Sequence, residues 1–351
     1  MTVSRILITG DRGYIGSVMA PMLSRAGNDV VGLDVDYYRD CDLVRPGAEY
    51  RRVTKDIRDI ERSDLVGLDA VVHLAALSND PIGNLKQAWT TQINEDASVR
   101  LARLARSAGV ERFVFSSSCI MYGLAADAFA TESSPLNPQT EYARSKVAAE
   151  QRISDLATDG FSPVFLRNGT VYGLSSRMRF DTVLNDFVAS AVTTGRVTVH
   201  SDGKPWRPVV HVEDVARAFA AVLEAPAHLV HNQAFNTGAD HLNHQVLELA
   251  TIVVDAVPGT QLKVLGSPSA DQRTYRASFA KFRATFPTFA FRWSARTGAA
   301  QLAEEFRRIG LTTELHGDDR FTRLRRLRWL IQTGQLDEEL RWSSPAEAEV
   351  A

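Results

Sequence analysis

Along the first 240 residues, short apolar runs alternate with longer segments in which apolar positions recur every three to four residues. The runs at 3–9, 29–34, 69–75, 111–118 and 162–167 each carry a stretch of Val, Ile, Leu or Phe, the pattern of buried strands, and that at 111–118 ends in three serines. Between them, helices are predicted from the glycine turn after residue 9 to about Arg25, over 85–108, and from Pro138 to about Ala157. The second of these carries Val99, Leu101, Leu104 and Ala105 on one side, and the third has Glu141 in its first turn, as a helix start prefers. Strands alternating with helices predict an α/β fold around a parallel sheet. After Gly173 the alternation loosens. Helices are expected at 177–194, 213–223 and 245–257, strands at 197–200, 209–212 and 261–265, with a turn-rich tract at 201–206. The organisation expected is a first domain over 1–173 and 209–236, a smaller discontinuous lobe over 174–208 and 237–310, and a helical tail over 311–351. In that tail, basic residues over 320–331 alternate with Phe321, Leu324, Leu327 and Leu330. This reads as an amphipathic helix that docks its apolar side and leaves its arginines in water, with a phosphate or membrane contact as the functional alternative. Residues 343–351 read as frayed.

Composition narrows the function classes. A chain of 351 residues with 44% hydrophobic and 23% charged residues can bury a large core. Its net charge of −2 declares no basic face, so a nucleic-acid binder is not expected. Two cysteines, Cys41 and Cys119, make no disulfide framework and fit a reducing compartment. No leader or long apolar run opens the chain, so no membrane partner and a cytoplasmic location are expected.

Three motifs carry chemistry. Gly10, Gly13 and Gly16, with Tyr14 and Ile15 between them, form a strand-to-helix turn. There the backbone can approach a pyrophosphate, and the helix N-terminus offers amide donors. Asp34 ends the second strand, where an acid binds the adenosine ribose hydroxyls and repels a 2′-phosphate, which favours NAD. Ser118 ends the strand 111–118, and a parallel sheet gathers ligands at such ends. Tyr142 and Lys146 lie four residues apart on one helix face. A free tyrosine, with a pKa near ~10, is a poor base at neutral pH; a neighbouring ammonium and a cationic nicotinamide favour its phenolate.

With these motifs in this order, the chain resembles the extended short-chain dehydrogenases/reductases, the group of nucleotide-sugar epimerases and dehydratases. Matching stretches are 10–16, 55–57, 72–76, Asn94, 116–123, 142–146, 211–216 and 235–238. The resemblance implies a Rossmann-type doubly wound parallel sheet with a smaller α/β substrate lobe. It implies Ser118, Tyr142 and Lys146 as the catalytic triad. NAD would be held by the glycine turn with Asp34, Asp56, Ile57, Leu74, Ala75, Ala76, Asn94 and Lys146. A nucleotide-linked sugar would meet Ser78, Asn168, Thr170, Arg179, Asn185, Arg207 and Arg273, the last two at the diphosphate. Relatives often dimerise through the helices corresponding to 85–108 and 140–157, so a homodimer is implied.

The chain also departs from the family. In dTDP-glucose 4,6-dehydratases an Asp-Glu pair follows the catalytic hydroxyl and supplies the acid and base of elimination. Here Cys119 and Ile120 stand there. Ile120 transfers no proton, and Cys119 reads as a small buried residue. Thr170 stands where relatives carry asparagine, and Asn168 comes two residues early. His211 reads as a buried, hydrogen-bonded histidine. The reading is a 4-epimerase in which Tyr142 takes the sugar hydroxyl proton. A 4-ketoreductase or related enzyme of deoxysugar or secondary metabolism stands beside it, as does a non-catalytic NAD-sensing protein of the same fold.

Overall fold

The computed structural model describes residues 4–45, 47, 49–78, 86–267 and 273–343, with the backbone alone over 125–128. Seven strands form one parallel sheet: β1 (Arg5–Thr9), β2 (Asp29–Asp34), β3 (Arg51–Thr54), β4 (Ala70–His73), β5 (Arg112–Ser118), β6 (Ser162–Asn168) and β7 (Gln233–Thr237). Their order across the sheet is β7-β6-β5-β4-β1-β2-β3. The switch point between β1 and β4 opens a crevice at the carboxyl ends of the strands.

Side-chain alternation explains why the sheet is covered twice. Ile6, Ile8, Val72, Val114, Val164 and Leu166 point to one face. There they meet Met19 and Leu23 of α1 (Gly16–Arg25), and Phe219 and Val222 of a helix spanning Val212–Glu224. Leu7, Val71, Phe113, Phe115 and Phe165 point to the other. They meet Leu101 and Ala105 of α2 (Ala97–Ala108) and Ala149 and Ile153 of α3 (Glu141–Ser154). Strands packed by helices on both sides have no polar face to spare, hence their continuous apolar runs. The segment before α2 is helical from Gln87, with a π-helical stretch over Thr91–Asp96. Residue 85, where that helix was expected to start, lies outside the described residues. α3 is capped by Thr140, whose hydroxyl accepts from the Ala143 amide at 3.2 Å, and it ends at Ser154, three residues before the expected stop.

A second cluster of buried residues is built by α4 (Val183–Thr194), α6 (Val246–Ala256) and α7 (Ala295–Arg308), joined by Val212 at the start of α5 (Val212–Glu224), and includes Val188, Leu249, Leu302 and Phe306. The helix expected from 177 starts only at Val183, so 177–182 is an irregular segment facing the crevice. The short strands Arg196–Val199 and Gln261–Val264 pair in parallel on this side.

The tail forms α8 (Arg323–Gln332), close to the helix expected. Its orientation corrects the sequence reading. Leu327 and Leu330 dock as expected, but Arg323 and Arg326 are buried with them, while Trp329 is 39% exposed. The guanidinium of Arg323 lies over the ring of Tyr38, and Arg326 donates to the carbonyl of Arg39. Arginine stems and planar heads can be packed like apolar groups where carbonyls and rings receive them. Residues 344–351, within the stretch read as frayed, lie outside the described residues. Among the described residues, no helix is long and apolar enough to cross a membrane.

Candidate active site

A cleft of about 1110 Å³ lies at the carboxyl ends of β1, β2, β4, β5 and β6, between the sheet and the second cluster. The glycine turn forms its floor. Gly10 has φ +77° and donates to the Leu33 carbonyl at 2.8 Å. A Cβ on Gly16 would stand 2.1 Å from the Gly10 carbonyl oxygen, so only hydrogen fits where the turn enters α1. Gly32, on the neighbouring strand, leaves space for the buried carboxyl of Asp11, which accepts from the Tyr50 hydroxyl at 2.9 Å. Burial and the nearby Asp34 push the Asp11 carboxyl above the usual carboxylate range.

Asp34 is fixed at the mouth. Its carboxylate accepts from the amides of Arg12 (3.2 Å) and Asp36 (2.7 Å). Burial and the charge of Asp36 raise its pKa. Gly13, Tyr14, Ile15, Asp56, Ile57, Leu74, Ala75 and Ala76 also line the cleft. Asp56 caps the turn after it through the Arg58 amide and pairs with the Arg58 guanidinium at 2.6 Å. A glycine turn that admits no side chain at Gly16, joined by one cleft to an oriented acid, fits a dinucleotide with a free ribose diol.

Ser118, Tyr142, Asn168 and Thr170 line the same cleft farther along. Ser118 sits where β5 ends, its hydroxyl accepting from the Ile120 amide at 3.3 Å. Lys146, only 3% exposed, lies beneath them. Its ammonium donates to the Ser116 carbonyl at 2.8 Å and stands 5.9 Å from the centre of the Tyr142 ring. Burial lowers its pKa to about 7, against the pull of Glu150 one turn on. Two further residues, not singled out from sequence, brace this region. Glu150 accepts from the Ser117 hydroxyl at 2.8 Å and is clamped by the Arg167 guanidinium. Arg167 also donates to the Tyr122 hydroxyl at 3.0 Å. A charged residue inside the otherwise apolar strand β6, with an acid one helical turn after Lys146, was the available signal.

Three expectations about bystanders hold. Cys119 is fully buried, and its thiol donates to the Arg167 carbonyl at 3.0 Å; burial pushes its pKa up, leaving no thiolate. His211 is buried, stacked on Trp293 at 4.1 Å and bonded to Gln301 at 2.9 Å. Ile120 lines the cleft and offers no proton.

Toward the second cluster, Arg207 and Arg273 share one wall, the Arg207 guanidinium donating to the Arg273 carbonyl. Arg179 pairs with Asp181 at 2.8 Å and donates to the Ser78 hydroxyl at 3.1 Å; all three line the cleft. Asn168 donates to the Ser116 hydroxyl at 3.1 Å, and its amide oxygen is buried without a partner among the described residues. Two residues expected at the ligands do not line the cleft. Asn94 is fully buried and spends its amide on the Leu77 N–H and carbonyl, at 2.8 and 3.1 Å. Asn185 is fully buried too, accepting from the Gly173 amide and donating to the Tyr14 hydroxyl and the Arg179 carbonyl, each at 3.0 Å. Both amides pin loops around the cleft rather than line it. Thr322, Arg323 and Leu324 of the basic tail segment also line the cleft.

Residues 6–238 match the model of the NAD dependent epimerase/dehydratase family. UDP-glucose 4-epimerase of Lactobacillus helveticus is 31% identical over 271 residues, covering 70% of this chain and 80% of that protein. dTDP-D-glucose 4,6-dehydratase of Mus musculus is 29% identical over 62% of this chain and 64% of its own. Among solved structures, the NAD dependent NDP-hexosamine 5,6-dehydratase TunA superposes with a TM-score of 0.77 at 26% identity, covering 87% of this chain and 98% of its own. MoeE5 in complex with UDP-glucuronic acid and NAD gives 0.74 at 27% identity, covering 87% and 99%. With the glycine turn, Asp34, Ser118 and Tyr142 opening on one cleft and Lys146 beneath it, these matches make the chain an enzyme of the NAD dependent epimerase/dehydratase family.

Proposed function

We propose that the protein is a nucleotide-sugar 4-epimerase acting through a transient 4-keto sugar. The observation that carries this reading is the content of the cleft beside Tyr142. Ser118 and Tyr142 face it with Lys146 beneath, while the two positions after Ser118 hold a buried thiol and an isoleucine. A proton can be taken from a sugar hydroxyl there, but neither Cys119 nor Ile120 can serve as the acid or base of an elimination.

In this reading Ser118 accepts or donates a hydrogen bond at the sugar 4-oxygen and positions it. Tyr142, as phenolate, takes the hydroxyl proton and later returns it. Lys146 stabilises the phenolate electrostatically from its place beneath. NAD, held by the glycine turn and Asp34, supplies the hydride acceptor and donor at C4. Arg207 and Arg273 hold the nucleotide diphosphate, and Ser78, Asn168, Thr170 and Arg179 frame the rest of the sugar nucleotide. The mixed epimerase and dehydratase names of the relatives leave the reaction to the cleft chemistry. The working form is a cytoplasmic homodimer pairing the helices 87–108 and 141–154, which light scattering tests directly.

A panel of UDP- and dTDP-hexoses incubated with the purified enzyme and followed by proton NMR tests the reaction. Interconversion of a 4-epimer pair without added reductant is expected. Stoichiometric consumption of NADH by a keto sugar would instead establish a one-way reductase.

A further inference from the structure

The tail enters the cleft. Thr322, Arg323 and Leu324 line it. Arg323 is 3% exposed. Its guanidinium lies 4.1 Å over the Tyr38 ring, and its Nη2 donates to the Arg177 carbonyl at 2.8 Å. Its Nη1 is buried with no hydrogen-bond partner among the described residues. Neighbouring acids are committed elsewhere: Asp36 and Asp42 pair with Arg177, and Asp181 with Arg179. Among the described residues, Arg323 forms no ion pair. A buried guanidinium without an ion-pair partner is costly, and one carbonyl and one ring replace only part of the solvation that Arg323 loses. A ligand anion would supply both the charge and the missing acceptor.

Position says which anion. Tyr38 stands four residues beyond Asp34, and Arg323 acts electrostatically on Tyr14 of the glycine turn. The segment after Arg323 is fastened to the same half of the molecule. The Tyr37 hydroxyl donates to the Leu340 carbonyl at 2.6 Å, and the Trp342 indole to the Val35 carbonyl at 2.7 Å. Arg58, paired with Asp56, donates to the Glu339 carbonyl at 2.7 Å. Leu327, Leu330, Leu336 and Leu340 pack with Tyr37, Leu77, Trp89 and Ile93.

We propose that Arg323 is an anion-binding residue of the cofactor site, closing on a phosphate of the bound dinucleotide, and that residues 319–343 are the strap that holds it there. This rests on the family's use of NAD and not on the reaction proposed above.

Calorimetric titration of the full-length chain, stripped of cofactor, tests it with NAD and with UDP as separate diphosphate probes. Arg323→Met should weaken NAD binding by about tenfold or more, the loss of one charged contact, and leave UDP binding within about twofold. Arg323→Lys should restore part of the loss. Arg326→Met, which removes the other buried arginine of α8, should bind NAD within about threefold of wild type. Unchanged NAD affinity in Arg323→Met overturns the proposal. So does weakened UDP with unchanged NAD, which would give Arg323 to the sugar nucleotide, or an equal NAD loss in Arg326→Met, which would make the effect one of tail docking. Should Arg323→Met not fold, judged by circular dichroism, Arg323→Lys decides: it keeps stem and charge but not the planar fork. Weaker NAD with unchanged UDP then supports the assignment, and unchanged NAD overturns it.

Discussion

The ammonium of Lys146 donates to the carbonyl of Ser116 across 2.8 Å, tying α3 to β5 directly beneath the pair that does the proposed chemistry. Burial lowers the lysine from its ordinary 10.5 to about 7. Between those values the unfolded chain holds a proton that the folded one lacks. Stability therefore rises with pH through this window, by at most about 1.4 kcal/mol per unit, and the burial penalty is constant below it. Urea unfolding of cofactor-free protein at about pH 7.5 and about pH 9 should show this gain, and Lys146→Met should lack it.

The Glu150–Arg167 pair is nearly buried on both sides, at 11% and 7% side-chain exposure. Removing one partner strands a buried charge. Arg167→Met is expected to cost about 3–5 kcal/mol in denaturant unfolding. Combining it with Glu150→Gln should recover a substantial part, since the remaining group is then neutral. Equal stability of Arg167→Met and the double variant would mean that the charge left on Glu150 costs nothing once its partner is gone.

Tyr142→Phe keeps the ring and removes the proton carrier. It should lower kcat by about 10²–10⁴-fold, the usual weight of a general base, with NAD affinity within a few-fold of wild type. Retention of full activity by this variant would remove Tyr142 from the chemistry.

Gly16→Ala places a Cβ 2.1 Å from the Gly10 carbonyl oxygen and 2.6 Å from the Asp11 Cα. Both are backbone atoms, so the turn itself has to shift. NAD binding, measured by equilibrium dialysis, should weaken by at least about tenfold, alongside a stability loss of roughly 1–3 kcal/mol.

Much of this architecture is legible in the chain because its strands are buried on two faces. Runs such as those of β1, β4 and β5 stand out against helices of period 3.6, and the motifs sit at strand ends and one helix face. The glycine turn, Asp34, Ser118 and Tyr142 open on one cleft for that reason. Hydrogen-bond accounting is not legible in the same way. Asn94 and Asn185 look like ligand contacts by position, yet each closes buried loop amides that no periodicity reveals. Arg323 and Arg326 look solvated by hydropathy. Only the tertiary arrangement, with the Tyr38 ring and the Arg39 carbonyl waiting opposite, turns them inward. The brace of Glu150 and Arg167 joins a helix to the strand that follows it, a side-chain contact that no periodicity specifies.

The proposed reaction is tested most directly by NMR of nucleotide hexoses carrying deuterium at C4, turned over by enzyme with only its bound cofactor. The account predicts a 4-epimer that keeps its deuterium at C4 and no net change in nicotinamide absorbance. A product with the label moved to C6, or a keto sugar that accumulates with reduced cofactor, would contradict it.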